Sequence, residues 1–219
     1  VDGYVIAANR NSPRMTVIAG ETDAIKDAIV RFDEVGVNSV ILATSHAFHT
    51  SIVAPANVPL EKFLNSLDLS VPSLPITSNY DGEFYPMICE EGFSVHETIL
   101  PQLAPQMSST VEWTTQIGNM YDEGAKIFVE VGPKRALTTF SSQILEDEPH
   151  IAVMTNHPKL GGIRSFLCAL GQLSIAGRPI EIPRLENPIH SQAFRAGPLE
   201  ATKSTLVKPI AHETEKVAT

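Results

Sequence analysis

The sequence predicts an α/β chain. Short β-branched runs recur along it, segments with apolar residues at 3.6-residue spacing lie between them, and Gly or Pro stands at most junctions. With 219 residues it can form one domain, or one and a half, around a sizeable core. Hydrophobic residues make up 43% and charged residues 19%, the balance of a globular protein and not a disordered one.

The elements follow in order. Tyr4-Val5-Ile6-Ala7-Ala8 predicts a strand, and Asn9-Arg10-Asn11-Ser12-Pro13 supplies turn chemistry after it. Met15-Thr16-Val17-Ile18-Ala19 predicts a second strand, closed by Gly20. Ala24, Ile25, Ala28, Ile29 and Phe32 share one helical face, with Asp23 near the start and Gly36 at the end. Residues 37–43 read as a third strand. Strand, strand, helix, strand suits part of a ferredoxin-like small subdomain over residues 1–44.

Beyond it, Leu60 to Leu67 has helical character, and Ile76-Thr77-Ser78 reads as a short strand before the turn Asn79-Tyr80-Asp81-Gly82. Helices are predicted over 100–107 and 113–123, the second with Trp113, Ile117 and Met120 on one face. Ile127-Phe128-Val129-Glu130-Val131 is a β-rich run ended by Gly132-Pro133. A helix over 136–145, a strand over 151–154 and an amphipathic helix over 163–176 complete the pattern, with Cys168 expected on the buried side of the last. From Pro183 apolar periodicity fades and Pro, Ser, Thr, Lys and Glu accumulate, so 186–219 reads as a flexible linker.

Composition narrows the function. The formal charge of −9, from 16 basic and 25 acidic side chains, argues against nucleic-acid binding, which needs a basic footprint. No apolar run approaches the ~20 residues that span a bilayer, and no basic-then-apolar leader opens the chain. Cys89 and Cys168 are far apart, and a cytoplasmic setting is expected, although a disulfide stays open. The chain starts on Val1 directly before a strand-like run and reads as a piece of a longer polypeptide. The remaining histidines share no ligand spacing with one another or with the cysteines, so no metal site is predicted.

Ser45-His46-Ala47-Phe48-His49-Thr50 is the stretch with the most chemistry in it. It lies between a predicted strand and a predicted helix, at a sheet edge where side chains from several loops meet. Neutral imidazole is the side chain best suited to take a proton near pH 7. The nucleophile it would activate is not evident: no Gly-x-Ser-x-Gly turn occurs anywhere in the sequence.

Five motifs carry a resemblance. His46-Ala47-Phe48-His49-Thr50 followed by Ala54-Pro55-Ala56 resembles the His motif of malonyl-CoA:acyl-carrier-protein acyltransferase domains. Asn11-Ser12-Pro13 leading to Val17-Ile18-Ala19-Gly20 is similar to a stretch of their small subdomain. Phe128-Val129-Glu130-Val131-Gly132-Pro133 resembles their Glu-x-Gly-Pro signature. Gln106, seven residues before Trp113, matches a Gln that precedes their Val-x-Trp/Phe element, and Leu170-Gly171-Gln172-Leu173 through Gly177-Arg178-Pro179 resembles the segment closing such domains in modular polyketide synthases.

The resemblance implies that residues 45–185 are the C-terminal part of an α/β-hydrolase-like acyltransferase core. It implies a Ser–His pair that takes malonyl from CoA and passes it to the phosphopantetheine thiol of an acyl carrier protein, with no tightly bound cofactor. His49 aligns with the base, and Gln106 with the position whose backbone carbonyl fixes its tautomer. The serine, the Arg for the malonyl carboxylate and an oxyanion donor belong to family segments this sequence lacks, so the piece alone is expected to be inactive. Phe48 and His46 match the malonyl-selecting form of the motif, and bulky Phe48 would crowd an α-methyl group. Asn11 has two readings, a substrate contact or ordinary turn chemistry. Glu130 reads as a loop anchor. Thr110 replaces the family's usual Pro and is expected to loosen its turn. The polar tail favours a multidomain synthase of polyketide or polyunsaturated-fatty-acid type with neighbouring domains in one polypeptide. Two other readings stand beside this one: a non-catalytic piece that docks a carrier protein, and an unrelated hydrolase-like enzyme using Ser12, Ser45 or Ser51.

Overall fold

Strand β1 (Val5–Ser12) and strand β2 (Met15–Gly20) form an antiparallel hairpin turned at Pro13-Arg14, in a computed structural model that describes residues 1–44 and 46–180. The linker expected over 186–219, and Ser45, lie outside the described residues. β1 runs through Asn9–Asn11, which composition alone marked as a turn. Two register shifts, between Ala7 and Asn9 and between Arg10 and Ser12, let this polar stretch stay in the ladder. Ser12 also receives the Arg14 N–H on its hydroxyl, 3.2 Å away, which places the reversal two residues later than expected.

Helix α1 (Thr22–Glu34) packs on the hairpin through the buried Ala24 and Ala28. Gly36, at φ 75°, follows its end as expected. The third strand expected over 37–43 is not formed. Among the described residues no strand pairs with it, and a β-branched run without a ladder partner gains nothing from extended pairing. Val40, Ile41 and Leu42 are exposed instead.

A 3-10 helix, Ser51–Ala56, runs directly into helix α2 (Asn57–Leu64), three residues ahead of the sequence expectation. The expected strand at Ile76–Ser78 is reduced to one antiparallel bridge between Thr77 and Phe84 around the turn at Gly82. The helix expected over 100–107 is two pieces. Helix α3 (Val95–Leu103) starts on a capping box, in which Ser94 and Glu97 satisfy each other's backbone N–H groups, and a 3-10 helix, Ala104–Met107, follows with Pro105 in its first turn. Helix α4 (Trp113–Asp122) buries Ile117 to 1% exposure, with Trp113 and Met120 half-buried on the same side.

Strand β3 (Ile127–Pro133), helix α5 (Ala136–Ile144) and strand β4 (Ile151–Asn156) form a parallel β-α-β unit, with Ile127 opposite Ile151 and Val129 opposite Val153. The register shifts between Glu130 and Pro133, and β3 resumes pairing at Pro133 opposite Asn156, so the run extends through the Gly132-Pro133 expected to end it. Helix α6 (Gly162–Ile175) packs on β4. Its buried stripe is Ser165 and Ala169, small side chains that let the backbones approach. Ile163, Phe166, Leu167 and Ile175 face outward, and Cys168 is exposed, contrary to expectation. Val131 on β3 is likewise 85% exposed. The core lies where β1, α4, α5 and β4 meet, around Ala8, Ile117, Leu145 and Val153.

Candidate active site

His49 sits on the loop before the first 3-10 helix, half-buried and at φ 61°, a left-handed conformation uncommon for a residue with a Cβ. Two adjacent carbonyls meet it from the end of the Ala104–Met107 turn. Its ring Nδ1 lies 3.0 Å from Gln106 O, and its backbone N–H donates to Met107 O at 2.9 Å. A carbonyl oxygen can only accept, so Nδ1 carries a ring proton, and in the neutral ring Nε2 keeps its lone pair. Such a ring can receive a proton on Nε2 while Gln106 O stabilises the cation that results. The carbonyls belong to the C-terminal end of a short helix, where unsatisfied acceptors gather.

The other residues singled out in the sequence fall into two places. His46 and Phe48 are neighbours on the same loop, both exposed, with ring centroids 6.0 Å apart and planes inclined by 51°. Asn11 falls in the second register shift of β1 and, among the described residues, shares no hydrogen bond with His49 or Gln106. The structure therefore brings His49 and Gln106 together and leaves Asn11 on the hairpin. That hairpin is tied to the His49 region by two side chains. The Tyr4 hydroxyl accepts the Ser51 N–H at 3.1 Å, and Thr110 donates to Ala7 O at 2.7 Å. Thr110 thus anchors the segment that was expected to be loose, a bond proline could not make. Val111 extends the anchor, giving its N–H to Ala8 O and accepting from Arg10 N, each at 2.9 Å.

Glu130 is a helix cap. Its carboxylate accepts from Thr138 N at 2.8 Å and from the Thr138 hydroxyl, at the N-terminal end of α5. Two cavities are lined by other parts of the chain. One, of about 660 Å³, lies along Leu160–Arg164 with Leu167 and Cys168; the other, of about 420 Å³, lies between Arg14, Arg135, Glu146 and β4. Among the described residues no group of three His, Cys, Asp or Glu side chains gathers as metal ligands would, and no helix is long and apolar enough to cross a membrane. Burial raises the titration of Tyr85, with the Ser78 hydrogen bond opposing and Asp81 adding to the rise; this phenol flanks the Thr77–Phe84 bridge and not His49.

No family model matches the chain. Relatives do. A polyunsaturated fatty acid synthase subunit from Thraustochytrium sp. is 32% identical over 155 residues, which are 70% of this chain and 5% of that protein. The polyketide biosynthesis malonyl CoA-acyl carrier protein transacylase PksC of Bacillus subtilis is 32% identical over 142 residues, 64% of this chain and 46% of that one. The crystal structure of malonyl CoA-acyl carrier protein transacylase from Clostridium perfringens superposes with a TM-score of 0.65 at 28% identity, covering 80% of this chain and 52% of that chain. The chain is a relative of the malonyl CoA-acyl carrier protein transacylases. It spans about half the length of the transacylases it matches and a small share of the much longer synthase.

Sequence reading passed over Thr50 and Tyr4 as residues of this site. Thr50 carried a usable signal, since a Thr directly before a helical stretch is a favoured N-cap. Tyr4 carried none, because nothing local links it to a loop nearly fifty residues away.

Proposed function

We propose that this chain is the base-bearing part of an acyltransferase domain that moves malonyl from CoA to the phosphopantetheine thiol of an acyl carrier protein. The observation that carries the proposal is the 3.0 Å contact between His49 Nδ1 and Gln106 O, which leaves Nε2 as a proton acceptor. A serine supplied by a part of the domain outside these 219 residues would give its hydroxyl proton to Nε2 as its oxygen attacks the malonyl thioester. The carbon–sulfur bond breaks, CoA leaves as a thiol with that proton, and malonyl remains on the serine as an ester. The carrier's thiol then gives its proton to Nε2, its sulfur attacks the ester, and the serine oxygen leaves reprotonated. Alone, the chain is expected to be inactive.

The finer assignments belong to the same reading. β1, β2 and α1 are taken as part of a ferredoxin-like small subdomain over 1–44, and 45–185 as part of an α/β-hydrolase-like core, with a linker over 186–219 to neighbouring synthase domains. The outward apolar side chains of β3 and α6 support this, as a portion of a larger α/β core would leave such faces uncovered. Phe48, 47% exposed beside His46, is read as the residue that limits the acyl group. One methyl is worth only ~1–3 kcal/mol of discrimination, so selection against methylmalonyl would be partial.

The test is transfer by the complete domain. His49→Ala should remove most malonyl transfer while the fold, followed by circular dichroism, persists; near-normal turnover would end the base assignment. In the same assay, His46→Tyr with Phe48→Ser should raise the use of methylmalonyl-CoA relative to malonyl-CoA, and an unchanged ratio would remove Phe48 from the acyl site.

A further inference from the structure

We infer that Thr50 is a positioning residue for His49: its buried hydroxyl holds the left-handed corner that lets one residue meet two consecutive carbonyls. The inference rests on the reading of His49 as the base. Thr50 is wholly buried, with backbone φ −135° and ψ 164°. Its Oγ1 donates to Ala47 O at 2.7 Å and accepts from Ile52 N at 3.2 Å. One hydroxyl thereby ties residue 47 to residue 52 across His49, using its proton on one side and a lone pair on the other. The preceding N–H of the same 3-10 helix, that of Ser51, is taken by the Tyr4 hydroxyl.

The opposite wall is held as firmly. The Ser108 hydroxyl accepts from Asn57 Nδ2 at 2.6 Å and donates to Pro105 O at 3.2 Å, joining α2 to the turn that presents Gln106 O and Met107 O. His49 meets those carbonyls with two donors of fixed separation, its main-chain N–H and its Nδ1–H. Both bonds are made in the left-handed conformation. Without the Thr50 hydroxyl, Ala47 O and Ile52 N lose their common partner and His49 is free to relax toward negative φ. The Gln106 bond would then loosen, and with it the selection of the tautomer that leaves Nε2 unprotonated.

The readout is the ring itself. Nitrogen-15 NMR of the 219-residue chain above the titration of the imidazole gives the ratio of Nδ1–H to Nε2–H tautomers at His49. Native chain and Thr50→Ser, which keeps the hydroxyl, should both hold the Nδ1–H form. In Thr50→Val and Thr50→Ala the ratio should fall about tenfold, the effect of one lost hydrogen bond. An unchanged ratio in a folded Thr50→Val chain would reduce Thr50 to an ordinary cap. Should the valine variant fail to fold, the Ser and Ala pair decides: equal ratios overturn the inference, and a fall in Ala alone supports it. The tautomer is read without turnover, so this result stays separate from the base assignment, which His49→Ala tests in the complete domain.

Discussion

A methyl group added at Gly82 should cost the chain several kcal/mol of stability, and the geometry shows where the cost arises. Gly82 adopts φ 81°, and a Cβ built there would lie 2.6 Å from Thr115 Cβ, 2.7 Å from its Cγ2 and 3.3 Å from Gln116 N. Carbon pairs are comfortable at ~3.5–4.0 Å, so the turn or α4 must retreat by roughly an ångström. Neither moves freely. Gly82 N donates to Ser78 O at 3.0 Å, Asn119 Nδ2 donates to Gly82 O at 3.0 Å, and buried Gln116 bridges Thr77 and Asn79 with two 3.0 Å bonds. The left-handed backbone costs a residue with Cβ about 1–2 kcal/mol, and overpacking against a held neighbour costs about 1–3 kcal/mol. Gly82→Ala should therefore lose roughly 2–5 kcal/mol, a fall of roughly 5–20 °C in Tm for a domain of this size. Two glycines serve as controls in the same denaturant and thermal melts. Gly36, at φ 75° with nothing within 4 Å of its Cβ position, should lose only the backbone part, about 1–2 kcal/mol. Gly118, inside α4 and also open, should gain about 0.5–1 kcal/mol on replacement by alanine. Equal losses at Gly82 and Gly36 would refute the close approach of turn and helix.

Two further outcomes test how the segments around the site are held. Thr110→Val removes the donor to Ala7 O and should cost about 1 kcal/mol in the same melts, with no loss expected if that carbonyl is satisfied in another way. The Ser94 hydroxyl and backbone N–H hold the Glu97 carboxyl below its ordinary value, so its contribution to the start of α3 is present above the unfolded-state value and is lost as pH falls through the lowered one. Protection factors of the Glu97 and Thr98 amides, corrected for intrinsic exchange, should fall as pH drops through that lowered value, and Glu97→Gln should abolish the pH step.

Local chemistry was the legible part of the fold. Gly36 and Gly82 both take positive φ where the sequence placed an end and a turn, and the apolar face of α4 is where its spacing put it. What failed depended on partners distant in sequence. Residues 37–43 have the composition of a strand, but a strand exists only where a ladder receives it. Asn9–Asn11 have the composition of a turn, yet β2 and Val111 hold them extended from both sides. Periodicity in α6 correctly marks an apolar side without telling which side meets β4. The close contact goes to Ser165 and Ala169, because small residues permit approach, and the larger side chains are left outward.

The site divides in the same way, and the division says what kind of machine a histidine motif is. The residue types were readable, since a base must be an imidazole or its equivalent and a motif preserves that choice in one short string. Its setting was not, because the tautomer depends on a carbonyl 57 residues away and the corner on a hydroxyl directly beside it. Gln106 acts through its backbone oxygen, so its own side chain carries no signal of that contact; only resemblance placed it. Thr50 acts through its side chain and stood in plain view, masked by the two histidines before it. On the proposed reading, the base is specified by one residue, His49, and prepared by two others, Gln106 and Thr50, whose arrangement around it comes from the structure.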